Sequence, residues 1–94
     1  MTDAITVELA MLTAATPERL SVELTGRIVG GARVSVGISH YPELHDVLVY
    51  DSLGSHQLWV VDHDGQVLGD PPPMPGWLQA MADVWLPKLR GMAT

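Results

Sequence analysis

The stretch HDVLVYDSLGSHQLWVVDHDGQVL, residues 45–68, reads as two strands joined by one turn and then a tight hairpin into a third. Residues 47–51 (VLVYD) and 57–62 (QLWVVD) are short, β-branched and aromatic-rich, and turn formers bound both. Asp51-Ser52-Leu53-Gly54-Ser55 lies between them as a hairpin loop. Asp64-Gly65 is the strongest local turn signal in the chain. It predicts a two-residue type I′ connection, because Asp and Gly best tolerate positive φ. That loop pairs His63 with Gln66 and sets Val61 opposite Leu68. Trp59, Val61 and Leu68 then share one face, the expected core face.

The same pairing gathers the chemistry-bearing residues. Folding residues 47–51 back on 57–62 sets His45 and Asp46 beside Asp62 and His63. His40, Tyr41 and Glu43 enter just before this end, and His56 is left at the opposite end. Histidines and acids that are scattered in sequence therefore collect at one edge of the sheet. Neutral imidazoles of His40, His45 and His63, with a carboxylate from Asp46, Asp62 or Asp64, make a candidate site for a divalent ion such as Zn²⁺. The metal set is His40, His45, Asp62 and His63. The candidate catalytic set is His45, Asp46, Asp62 and His63, with His45 polarised by Asp46 or Asp62 as an acid–base pair. A histidine among carboxylates is also a candidate pH switch. Against these stands the absence of any tight ligand spacing, nucleophile elbow, triad order or cofactor fingerprint. Strand-end His and Asp side chains equally serve as solvated groups or turn caps. No cofactor is expected.

Working outward, 94 residues make one domain, which buries ~60–70% of the surface of its unfolded chain. Apolar residues are 47% of the chain, enough for a core, although Phe is absent and Val, Leu, Met and three Trp must fill it. There is no cysteine, which removes disulfides, thiolate metal sites and cysteine nucleophiles together. The net charge is −6 and the five Lys and Arg residues are spread out, so nucleic acid and anionic membrane are not expected partners. Neither a signal-peptide pattern nor an apolar run of ~20 residues is present, and a cytoplasmic location is expected. The residue usage, with one Lys and no Asn or Phe, suggests a GC-rich bacterial or phage genome.

Ile5-Thr6-Val7-Glu8-Leu9 and Leu20-Ser21-Val22-Glu23-Leu24 share one alternating pattern of period two, the mark of half-buried strands. They form a hairpin about Thr16-Pro17-Glu18. Residues 8–15 (ELAMLTAA) are rich in helix formers, so for residues 4–14 a helix competes with the strand. Gly30-Gly31 sits between two β-branched runs as another hairpin signal. Read instead as a phosphate loop, it lacks the Lys-Ser/Thr ending and a following helix. Gly26 and Gly37 inside strands suggest bulges or bends. His40-Tyr41-Pro42-Glu43-Leu44 is a connector. Residues 70–76, with four prolines, form a stiff spacer, and PxxP recognition is the weaker reading without flanking Arg or Lys.

A helix is predicted over residues 77–90, clearest in 77–86, with Pro87 ending or kinking it near Leu86. Trp77, Met81, Val84 and Trp85 form its core stripe. Leu78, Ala82 and Leu86 then leave apolar surface on another side. Together these features predict a single α+β domain over residues 1–94. Its strand-rich part, residues 4–69, is a small curved antiparallel β-meander of five or six strands, with the C-terminal helix packed on one face. The expected function is a small acidic non-catalytic protein-binding module: an inhibitor, adaptor, chaperone or assembly subunit, with a homodimer among the options. Trp77, Leu78, Met81, Trp85 and Leu86 are its candidate partner-binding residues. The alternative is a small metal- or ligand-binding enzyme at the His/Asp edge.

Overall fold

A computed structural model of the chain describes residues 5–28, 31–52 and 54–93. They form β1 (Ile5–Ala15), β2 (Leu20–Ile28), β3 (Arg33–His40), β4 (Asp46–Ser52), β5 (Ser55–Val61) and α1 (Gly76–Met92). The strands make one open antiparallel sheet in the order β1-β2-β3-β4-β5, and α1 packs across β2 and β3. The α+β meander with its C-terminal helix is thus observed. No helix among the described residues is long and apolar enough to cross a membrane.

Residues 8–15 are strand, despite their helix-forming composition. β1 pairs with β2 from Ile5↔Ile28 to Ala15↔Leu20, and this ladder outweighs local propensities of a few tenths of a kcal/mol per residue. Thr16 and Arg19 close the turn, each main-chain N–H donating to the other's carbonyl. The pairing is irregular between Val7 and Leu9 and between Leu12 and Ala14. Gly26, paired with Val7, sits at the first irregularity, where a Cβ would lie 2.7 Å from the Thr6 carbonyl oxygen. Gly37 is different: it pairs regularly with Glu23 and Val49, so the bulge or bend expected there is not found. The hairpin expected at Gly30-Gly31 includes Gly30, outside the described residues. On its near side the Ile28 N–H donates to the Ala32 carbonyl at 3.2 Å. Leu53, in the β4–β5 loop, is also outside the described residues.

Alternation builds the core. Leu20, Val22 and Leu24 of β2, Val34, Val36 and Ile38 of β3, Leu48 of β4, and Trp59 and Val61 of β5 are buried on the helix side. From α1 they meet Trp77, Leu78, Met81, Ala82, Leu86 and Leu89. The spacer crosses β5, where the Trp59 indole N–H donates to the Pro72 carbonyl at 2.8 Å.

Two local expectations are corrected. The Asp64-Gly65 connection is not type I′, since Gly65 has φ +88° and no described non-glycine residue has positive φ. Instead the Asp62 N–H donates to the Gln66 carbonyl at 2.9 Å, which leaves the three-residue loop 63–65. The cause is the Asp62 side chain, whose Oδ1 accepts the N–H groups of both Asp64 and Gln66 at 2.9 Å. Val61 consequently faces Val67, not Leu68, and Leu68 is exposed rather than in the core. The second correction concerns Pro87, which lies inside α1 without ending it. The missing N–H costs one intrahelical bond, while buried Leu86 and Leu89 hold the helix to the sheet on either side.

Candidate functional site

β3 ends at His40 and β4 begins at Asp46, and the two residues pair directly across the ladder. Both follow the parity of Ile38 and Leu48, so both side chains enter the helix side of the sheet. Between them the connector closes through Tyr41 N–H to the His45 carbonyl, 2.9 Å, and Leu44 N–H to the Tyr41 carbonyl, 3.0 Å. Asp46 is 0% exposed. Its Oδ1 lies 2.5 Å from His40 Nδ1 and its Oδ2 2.7 Å from Arg90 Nη2. A carboxylate facing a guanidinium accepts at both oxygens, so His40 Nδ1 donates. His63 is exposed; its Nε2 donates to the Tyr41 carbonyl at 3.1 Å, and its ring centroid is 5.3 Å from that of His40.

The expected gathering of His and Asp at one edge therefore exists with different members. His40, Asp46 and His63 come together, each offering a ligand atom within 4.8 Å of the others'. His45 turns away, its ring 5.3 Å from Tyr41, and Asp62 is committed to its turn. His56 stands at the other end, paired with Asp51. Of the metal set only His40 and His63 converge, and of the catalytic set only Asp46 and His63.

Sequence reasoning missed Arg90. The signal was parity: Asp46 lies two residues before core Leu48, and a carboxylate on a core face needs a cationic partner. The arrangement acts as a clamp between the helix end and the sheet. Both Asp46 oxygens are occupied, and no buried side-chain N or O atom among the described residues lacks a hydrogen bond. A metal ion would meet the Arg90 charge and two oxygens already bonded, Oδ1 to His40 and Oδ2 to Arg90. Ser39, next to His40 in sequence, does not complete a triad, because it faces the opposite side of the sheet and bonds Ser21 at 2.8 Å.

The helix places its candidate residues differently from expectation. Leu78, Ala82, Leu86 and Leu89 form one row against the sheet, and Trp77 and Met81 lie beside it in the core. Leu78 and Leu86 are therefore not free partner-facing groups, and Leu78 is 0% exposed, whereas Trp77 and Met81, though largely buried, line the hollow beside β1. The stripe spacing admitted two adjacent rows, and both face inward. Trp85 is half-buried at the rim with Lys88 Nζ 4.5 Å above its ring, while Val84 is exposed.

Open apolar surface lies instead at β1, the sheet edge. Val7, Leu9, Met11 and Leu12 are 41% to 53% exposed. Val7 and Leu12 pair with Gly26 and Val22 and so share the helix side; Leu9 and Met11 pair with Thr25 and Glu23 and lie on the other face. On the helix side β1 and α1 border a trough of two hollows, about 310 and 210 Å³, that meet at Trp85. No protein-family model, curated protein or solved structure matches the chain.

Proposed function

We propose that this chain is a small non-catalytic protein-binding module whose working surface is the β1 edge with the apolar trough between β1 and α1. The observation that carries the proposal is the exposure of Val7, Leu9, Met11 and Leu12 on both faces of an edge strand. Edge strands are ordinarily guarded by Lys, Pro or brevity, because their unpaired N–H and C=O groups template another strand. β1 has eleven residues, no Pro and no Lys, and Glu8 is its single charge. Such an edge suits β-augmentation, in which an extended segment adds main-chain hydrogen bonds and sets alternate side chains into an apolar groove. The His40–Asp46–Arg90 group, fully hydrogen-bonded within the chain, supports a structural part rather than a catalytic one.

The test is selection of displayed peptides against dilute immobilised protein, repeated with a Leu9→Lys/Met11→Lys variant. Extended apolar peptides that bind the parent and lose at least tenfold in affinity on the variant support the reading. Peptides that bind both proteins equally overturn it.

A further inference from the structure

We infer that the partner of this surface is a second copy of the same chain, joined β1 to β1 in antiparallel fashion to give one ten-stranded sheet. The inference rests on the protein-binding reading and names its partner.

Charge placement favours a self-contact. Through β1, β2 and β3 the acids Glu8, Glu18 and Glu23 are matched by Arg19, Arg27 and Arg33. Glu8 itself meets Arg33 at 3.1 Å and Arg27 at 4.0 Å. The excess lies elsewhere: besides Asp46, which Arg90 balances, Glu43, Asp51, Asp62, Asp64 and Asp70 precede the helix with no Lys or Arg among them. A basic partner would be drawn to that side, and nothing on the β1 edge selects one. Two copies meeting at β1 present neutral edges. At ~4.8 Å per strand, their acidic β4–β5 sides stand roughly 30–40 Å apart, several Debye lengths at physiological salt.

Surface and symmetry point the same way. Val7, Leu9, Met11, Leu12, Val84 and Met92 are each 41% to 54% exposed and, with the β1 main chain and the trough, form the surface that a standard interface of ~800 Å² per partner would draw on. β1 is apolar on both faces, and a second copy sets a matching strand beside it, with the two helices on one face over Val7 and Leu12 and the Leu9 and Met11 side chains meeting their counterparts across the new ladder on the other. The contact is isologous, so satisfying one edge satisfies both. The irregularities flanking residues 9–12 centre the pairing on that run. Growth past two copies is hindered because the C-terminal end of β5 is already covered, with Val67 bridging Val61 and the Leu68 N–H donating to the Val60 carbonyl.

The experiment is sedimentation velocity from about 1 to 100 µM on the parent chain and on Leu9→Lys/Met11→Lys. These side chains are half-exposed, so the variant keeps its circular dichroism spectrum. The parent is expected to sediment as a dimer of twice 10.2 kDa, and the variant to dissociate at least about 100-fold more readily. Amides of residues 9–12 should lose exchange protection on dilution of the parent. A parent that stays monomeric, or a dimer indifferent to the two lysines, overturns the inference. Peptide selection then separates the two ideas: a monomer with β1-dependent peptide binding retires only the second copy, and one without it retires the protein-binding reading as well.

Discussion

Arg90, in the last turn of α1, holds its Nη2 2.7 Å from Oδ2 of Asp46, a carboxylate with no solvent exposure at the start of β4. The pair ties the end of the helix to the sheet across 44 positions of sequence. Removing one partner of a buried pair leaves an uncompensated charge, which costs far more than a surface ion pair contributes. The Arg90 side chain is 39% exposed, so water compensates part of the loss. Arg90→Ala is expected to lower stability by about 1–3 kcal/mol, read as a shift in the urea midpoint at unchanged slope. A loss below about 0.5 kcal/mol, the scale of an exposed pair, would mean that the clamp does not hold the helix end.

The same geometry makes a prediction about metal. In the parent chain Asp46 Oδ1 is held by His40, and Arg90 occupies the remaining oxygen, Oδ2, with its charge opposing a cation beside His40 and His63. Zinc is therefore expected to leave the parent's melting temperature unchanged. In Arg90→Ala that oxygen is released, and zinc should raise the melting temperature by mass action on the folded state. Adding His63→Ala to Arg90→Ala should remove the gain. A parent that is itself stabilised by stoichiometric zinc would reinstate the edge as a metal site.

Leu78 and Val84 separate the helix face that the structure buries from the one it exposes. Leu78→Ala is expected to cost about 2–5 kcal/mol, as for a leucine lost from a packed core. Val84→Ala, at a site 52% exposed, should stay within about 0.5 kcal/mol. Thermal unfolding of both variants checks the contrast, and equal effects would place the helix on the sheet by a different row.

How much was legible in the sequence follows from which forces act locally. Period two reported β2, while β3 to β5 were legible as β-branched and aromatic runs between turn formers, and all four have one face on the helix side. β1 alternates less cleanly, since both its faces are apolar, and a run of helix formers obscured it. The helix was visible, but its rotation was not: Trp77, Leu78, Met81, Ala82 and Trp85 fill two adjacent rows, and only the position of the sheet chooses between them. Pro87 and the Asp64-Gly65 loop were misread for two reasons. Packing of Leu86 and Leu89 on the sheet overrode the local rule for proline, and the Asp62 carboxylate, two residues before Asp64, set a different turn from the one Asp-Gly alone favours. Arg90 lay beyond local rules altogether, because its partner is in β4.

Gly26 links the fold to the proposed surface. A Cβ there would come within 2.7 Å of the Thr6 carbonyl oxygen, a backbone atom of β1 that cannot yield without moving the strand. At Gly37 the nearest atom to a new Cβ is 4.0 Å away, on the Val49 side chain. Gly37→Ala is thus expected to be neutral or stabilising by up to about 1 kcal/mol, through the reduced freedom of the unfolded chain. Gly26→Ala should cost about 1–3 kcal/mol as overpacking against β1. Because the strain falls at the start of β1, Gly26→Ala should also speed hydrogen exchange in residues 5–9 while β3 and β4 keep their protection. If exchange instead rises uniformly, β1 and the rest of the sheet open as one unit. In that case the β1 edge could not be perturbed without loosening the whole domain.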